Sequence, residues 1–316
     1  MSLVWRGLAW VLAISLVVYF VIQASRALDP AVLREALSQS DVWLALLVGS
    51  LLYACIIPVT GWAWAILLSA RSESWRPSTL AVILGLSQLA KYIPGNIAQH
   101  AARATIAMRQ GMKPTSLIAT VAQETVLAIA ASVVIGLLAL FIGNHGLTVL
   151  DPRQIKIMLI AGILLLTAFG VLLLFNRSML ASQGQAMGRL ISALTTLPGW
   201  KATSAALLAY SLNYLLVGIG LWCVAFALGE SDSLSYLAVT AAFSLSWLLG
   251  FMTPGAPAGL GTREGIMLVL LQGTSTSEIL VTFVLLARVV TMSGDIISFL
   301  GAAFMQTRLK RFEVNR

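Results

Sequence analysis

The sequence predicts an all-α integral membrane protein, with about six full spans and two re-entrant broken helical hairpins arranged as an inverted repeat. Three observations carry that prediction. Hydrophobic residues make up 59% of the 316-residue chain and charged residues only 10%, with a mean hydropathy of +0.92, which excludes an ordinary soluble domain. A window of about 19 residues, the length a helix needs to cross hydrocarbon, finds six apolar runs. A short pattern also occurs twice: Pro94-Gly95 with Arg103, and Pro254-Gly255 with Arg263, each arginine eight residues past its glycine.

Taken in order, the spans run roughly from Leu8 to Val21, Val42 to Leu68, Ser116 to Ile142, Lys156 to Phe175, Ala202 to Leu228 and Ser277 to Phe304. Arg6 ahead of the first run suggests a secretory signal. No convincing small-residue cleavage site follows, however, and many spans come later, so this run reads as a retained first helix. Asp29-Pro30 opens a short helix toward Asp41, with proline at the first helical position. Thr79 to Ala90 and Tyr236 to Leu249 are apolar but short for a crossing, and each runs into a Pro-Gly. A second short helical stretch follows each one, Ile97 to Met108 and Thr262 to Leu271, so each pair reads as a re-entrant hairpin. Met179 to Leu194 places Leu180, Met187, Leu190, Ile191 and Leu194 at helical spacing, and with the Asp29 segment it reads as a helix lying in the interface.

No linker or low-complexity tract divides the chain. It reads as one membrane domain over residues 1–316, with repeat one at about 1–145 and repeat two at about 155–308. Each half has an odd number of crossings, so the second half enters from the opposite side. With both termini cytoplasmic, most lysines and arginines lie inside or in the inward hairpin, while Arg26, Arg34, Arg153 and Lys156 lie outside. The formal charge of +8 therefore belongs to loops and tails that meet anionic headgroups, and it gives no support to nucleic-acid binding. Cys55 and Cys223 both fall in apolar runs and indicate neither a disulfide nor a metal site.

The repeated pattern carries the chemistry. Pro-Gly ends one helix and a new one begins beyond it, which exposes a helix N-terminus at depth. Its free N–H groups and positive dipole end attract anions, and an arginine about two turns along adds a fork suited to phosphate oxygens. In the first copy the expected binding residues are Pro94, Gly95, Asn96, Gln99, His100 and Arg103. In the second they are Pro254, Gly255, Gly259, Gly261, Arg263 and Glu264, with Gly265 also easing backbone approach. The structural alternative is that the arginines cap helices or pair with internal carboxylates while the glycines serve packing. Repetition at one spacing favours a substrate path.

Three ionisable residues lie deep in full spans: Glu124, Arg288 and Asp295. Such groups face a bundle interior or a wet cavity. Arg288 and Asp295 share a helix face two turns apart, and Glu124 lies at a corresponding depth in the other half. A Glu124–Arg288 pair across the halves is therefore expected, acting as an ion pair, a gate or a proton relay. His100 can titrate or simply line the path, and His145 reads as loop.

At these residues the chain resembles a known family. Lys91-Tyr92-Ile93-Pro94-Gly95 with Arg103, and Gly259-Leu260-Gly261-Thr262-Arg263-Glu264-Gly265, are similar to the two signature segments of the lysylphosphatidylglycerol synthase transmembrane-region family, also called the flippase-like domain family. The likeness covers essentially the whole chain, and the second segment is the more specific. It resembles the flippase part of the multiple peptide resistance factor, which is joined there to a synthetase domain that is expected to be absent here.

The resemblance implies lipid translocation without lipid synthesis. The expectation is a bacterial inner-membrane flippase for an anionic lipid, either a phospholipid or a polyprenyl-phosphate-linked sugar, with Glu124, Arg288 and Asp295 as gate or coupling groups. No cofactor or metal is expected. The two histidines, the lack of an H-E-x-x-H and the lack of an Asp-rich motif weigh against an enzyme. Two alternatives stay open: an accessory subunit of a glycan or lipid synthesis complex, and a transporter of small anions. Homo-oligomerisation is compatible with each.

Overall fold

The computed structural model of the protein describes residues 29–93, 98–143, 198–253 and 257–314, and every regular element among them is helical. The expected first and fourth spans, the Met179 to Leu194 helix, His145, and Pro94, Gly95, Asn96, Pro254 and Gly255 lie outside the described residues. Helix α1 (Pro30–Ser38) starts where expected. The Asp29 carboxylate accepts from the Ala31 N–H at 2.7 Å, a side-chain cap ahead of an N-terminal proline.

The second expected span is two helices, α2 (Ser40–Ala54) and α3 (Ile56–Ser69), broken at Cys55. Pro58 explains the break. It has no N–H to donate to the Ala54 carbonyl, and its ring crowds that oxygen. Helix α4 (Pro77–Ser87) runs into a 3₁₀ turn, Gln88–Tyr92, and α5 (Ala98–Arg109) follows. Then come α6 (Pro114–Ile142), α7 (Trp200–Ala227) and α8 (Tyr236–Met252). A second 3₁₀ turn (Pro257–Gly259) leads to α9 (Thr262–Leu271) and α10 (Ser277–Val314).

Among the described residues, four helical stretches are long and apolar enough to cross a membrane: Ser40–Ser69, Pro114–Ile142, Trp200–Ala227 and Ser277–Thr307. Their outward faces are greasy, with Leu44, Leu47, Phe141 and Leu300 all more than half exposed. Such surfaces suit hydrocarbon, and the backbone polar groups beneath are satisfied within each helix.

Helix α7 is the hub, packed on α2, α3, α6, α8 and α10. Small residues allow the closest approaches. A Cβ placed on Gly220 would lie 2.9 Å from the Gly49 Cα, and one on Gly61 would lie 2.8 Å from the Ala81 nitrogen. Lipid supplies no hydrophobic drive for helices to associate, so close contact of this kind and hydrogen bonds between helices hold the bundle. One such bond runs from the Ser132 Oγ on α6 to the Ser244 carbonyl on α8 at 2.7 Å.

This packing predicts opposite outcomes for two glycines. Gly220→Leu drives side-chain carbon into backbone and should lower stability by roughly 1 to 3 kcal/mol, read as an earlier thermal transition in detergent. Gly301 has nothing within 4 Å of its Cβ direction, so Gly301→Ala in α10 should leave that transition unchanged or raise it.

Candidate functional site

The helical segments that lead into the two Pro-Gly pairs stop for a local reason. Ile93, just before Pro94, is extended at φ −75 and ψ 130, and Thr253, just before Pro254, is extended at φ −80 and ψ 113. The ring of the following proline excludes the helical region at the preceding residue. The 3₁₀ turn that continues α4, and helix α8, therefore end beside the two Pro-Gly pairs. Helix α4 packs on α5 and α8 packs on α9, while the two 3₁₀ turns touch each other.

The second arm differs from expectation in detail. Ala258, Gly259 and Gly261 take positive φ values of 51, 71 and 78, a region closed to most side chains. The chain thus stays out of the helix until Thr262. Arg263 sits in the first turn of α9 rather than two turns along, while Arg103 lies in the middle of α5. Gly250 and Gly259 form a seat for the Arg263 side chain, since a Cβ on either would lie 2.6 Å or 2.9 Å from its atoms.

The deep charges pair differently from the expected Glu124–Arg288 contact. Glu124 accepts from both terminal nitrogens of Arg103, at 3.0 and 2.6 Å. Arg288 lies 3.3 Å from Glu264 and donates to the Ala258 carbonyl at 3.4 Å. Each span charge is thus met by the adjacent helical arm of its own half. Helices α6 and α10 do not pack on each other to any extent, although each packs on other helices of the opposite half, and depth alone could not reveal this. Asp295 joins the halves instead: its two oxygens accept from Lys91 Nζ and the Tyr92 hydroxyl, both at 2.6 Å.

Arg103 is held on a second side. Its guanidinium lies 3.7 Å from the Trp64 ring centroid, and the Trp64 indole donates to Thr120 Oγ1 at 2.9 Å. A planar cation that is both stacked and bidentate loses little freedom on pairing. The structural alternative of an internal carboxylate partner thus holds for Arg103 and Arg288. Among the described residues Arg263 has neither a carboxylate nor a hydrogen-bond partner, and its Nε is buried and unmatched.

Both motif arginines face one cavity of about 200 Å³, together with Gln99, His100 and Glu124. Lys91, Tyr53, Trp247 and Phe251 also line it. A second cavity of about 150 Å³ adjoins it across Tyr53, Thr60, Glu124 and Trp247 and reaches Tyr210 and Asn213. Glu264 and Arg288 instead line a crevice of about 20 Å³ beside Arg263. Sequence reasoning did not single out Trp64, Trp247, Tyr210 or Asn213. A signal existed: polar-edged aromatic residues and an amide occur inside otherwise apolar helices.

A family model described as the lysylphosphatidylglycerol synthase TM region matches residues 8–297. The chain belongs to this family. No curated protein matches it. In this member of the lysylphosphatidylglycerol synthase transmembrane-region family, the matched stretch contains every charged residue of the site.

The Arg103–Glu124 geometry predicts steep costs for one-sided changes. Arg103→Ala leaves a carboxylate alone in a low-dielectric interior and should destabilise by roughly 3 to 5 kcal/mol. Arg103→Lys should recover only part of that, since an ammonium can neither span both oxygens nor stack on Trp64 in the same way. Thermal melts of the two variants beside an Arg103→Ala/Glu124→Ala double variant check this. The double variant should be more stable than Arg103→Ala alone.

Proposed function

We propose that the protein is a lipid translocase that carries the phosphate-bearing headgroup of an anionic lipid through this cavity while the lipid chains stay in the bilayer. The observation that carries the reading is Arg263. Of the three cations lining the 200 Å³ cavity, Lys91 is held by Asp295 and Arg103 by Glu124, while Arg263 is unmatched among the described residues. Its place in the first turn of α9 adds the positive end of the helix to the side chain's own charge. Like signs at one point in a low dielectric call for an anion from outside the chain.

The dimensions support a headgroup as cargo. The cavity has room for a phosphate and a ring-sized group but none for acyl or prenyl chains. The family description, which names a phospholipid, supports lipid as the source of the phosphate.

In the mechanism, the phosphate first meets Arg263, and the neighbouring ion pairs then supply exchangeable partners. A phosphate that takes hydrogen bonds from Arg103 releases Glu124 at the same moment. The carboxylate left without its partner sets the cost of that exchange. The α4/α5 and α8/α9 arms act as inverted-repeat re-entrant hairpins that open alternately. Lys91 and Tyr92 on Asp295 tie the first arm to α10, so this contact is the gate. The site lies in the inner membrane, with both termini cytoplasmic.

Translocation in proteoliposomes tests the reading, scored as the loss of headgroup access to an impermeant reagent. Arg263→Gln removes no internal pair, so it should keep the wild-type melting temperature. It should slow translocation of an anionic lipid by roughly tenfold to a hundredfold, the worth of a charge-assisted hydrogen bond. Wild-type rates in Arg263→Gln, or no transport of any anionic lipid by folded wild-type protein, would sink the proposal.

A further inference from the structure

The two adjoining cavities have a chemistry that binding a phosphate does not require. Resting on the translocase reading, we infer that the transported headgroup is an uncharged polyhydroxylated ring of the sugar class. It is joined through one phosphodiester and held against Trp247 while Arg263 holds the phosphate.

The first observation is an aromatic wall. Trp247 stacks on Phe251, with ring centroids 5.4 Å apart and planes 6° apart, and meets Tyr214 edge-on at 5.5 Å. These contacts fix the rotamers of an indole that faces both cavities and is only partly buried. A rigid aromatic wall at low entropic cost suits the C–H face of a sugar ring, which is apolar although its edge is polar.

The second observation is the hydrogen-bonding capacity beside that wall. The Tyr210 hydroxyl and the Asn213 Oδ1 are buried with no partner among the described residues. The Asn213 amide is oriented, because its Nδ2 donates to Thr60 Oγ1 at 3.0 Å. Buried polar atoms left open are costly, and both line the 150 Å³ cavity. A ring carrying hydroxyls would satisfy a donor-acceptor and an acceptor together.

The third observation is charge. Glu124 is the carboxylate that lines the two cavities, and both its oxygens are taken by Arg103. The open Oε2 of Glu264 lies outside them, in the 20 Å³ crevice. A headgroup with an ammonium group would enter a space with an excess cation and no free carboxylate, at a cost in desolvation. One unmatched cation instead suits one phosphodiester charge.

The geometry also orders the two parts. Arg263 lines the 200 Å³ cavity, Tyr210 and Asn213 line the other, and Trp247 stands between them. A phosphate on Arg263 places the next group past the indole.

Binding to the full chain in nanodiscs tests this with four probes. They are a polyprenyl phosphate hexose diester, the matching methyl diester with the same charge, an aminoacyl phosphatidylglycerol, and free hexose 1-phosphate. The hexose diester should bind roughly tenfold or more tighter than the methyl diester. That ratio should fall toward one in Trp247→Leu and largely survive in the conservative Trp247→Phe, with thermal melts confirming that each variant is folded.

Equal binding of the two diesters by wild type overturns the ring site and leaves the lipid reading intact. So does a ratio that survives Trp247→Leu, or tightest binding of the aminoacyl lipid. Binding of free hexose 1-phosphate without either lipid diester supports the ring site, assigns it to a soluble source and sinks the lipid reading. No binding of any probe overturns both.

Discussion

A charge inside a membrane protein has to be answered by another charge or by water, and the arrangement of this molecule follows from how its deep cations are answered. Arg103 has Glu124, Lys91 has Asp295 and Arg288 has Glu264. Each pair ties two elements together: α5 to α6, the first 3₁₀ turn to α10, and α9 to α10. Removing one partner from such a pair costs more than the pair itself contributes, because it leaves a bare ion in low dielectric. The ion pairs therefore fix where the helical arms can lie relative to the spans. Arg263, seated between Gly250 and Gly259, has no such partner among the described residues.

Much of this was legible in the sequence because the physics involved is local. Proline dictates the backbone of the residue before it, so the ends of the first 3₁₀ turn and of α8 could be placed from Pro94 and Pro254 alone. Apolar runs long enough to cross hydrocarbon located both ends of α6 and α7 and the start of α10 to within a few residues, and Asp29-Pro30 marked the start of α1. The break at Cys55 is legible in hindsight from Pro58, but an apolar window averages over it. The start of α9 at Thr262 was placed correctly, whereas the left-handed turn ahead of it was hidden for a different reason. Glycines at 259 and 261 are compatible with either close packing or left-handed backbone, and only the fold decides between the two.

Pairing was the least legible property. Glu124 and Arg288 are matched in depth and opposite in charge, which made them natural partners on a one-dimensional map. In three dimensions a span touches the arm folded against it before it touches the corresponding span. The two halves also resolve the problem with reversed sign: the arm supplies the guanidinium to α6, whereas it supplies the carboxylate to α10. A pattern search for repeated arginines finds Arg103 and Arg263 equivalent. The structure separates them, because Glu264 follows Arg263 directly and is turned to Arg288, leaving its neighbour unpaired among the described residues.

That asymmetry bears on how a carrier can bind its cargo and still release it. The Arg103–Glu124 contact is bidentate, short and stacked on Trp64, whereas Arg288 meets Glu264 through one contact at 3.3 Å and retains unmatched nitrogens. An incoming phosphate therefore finds a graded set of partners: an unpaired guanidinium, then a loosely paired one, then a tightly paired one. Occupying the first needs no bond to be broken, and engaging the second disturbs one long contact. Only engaging the third undoes the interaction that holds α5 to α6. A ligand held mainly by Arg263 is bound firmly enough to enter. The rising cost of displacing each further carboxylate keeps it from being trapped.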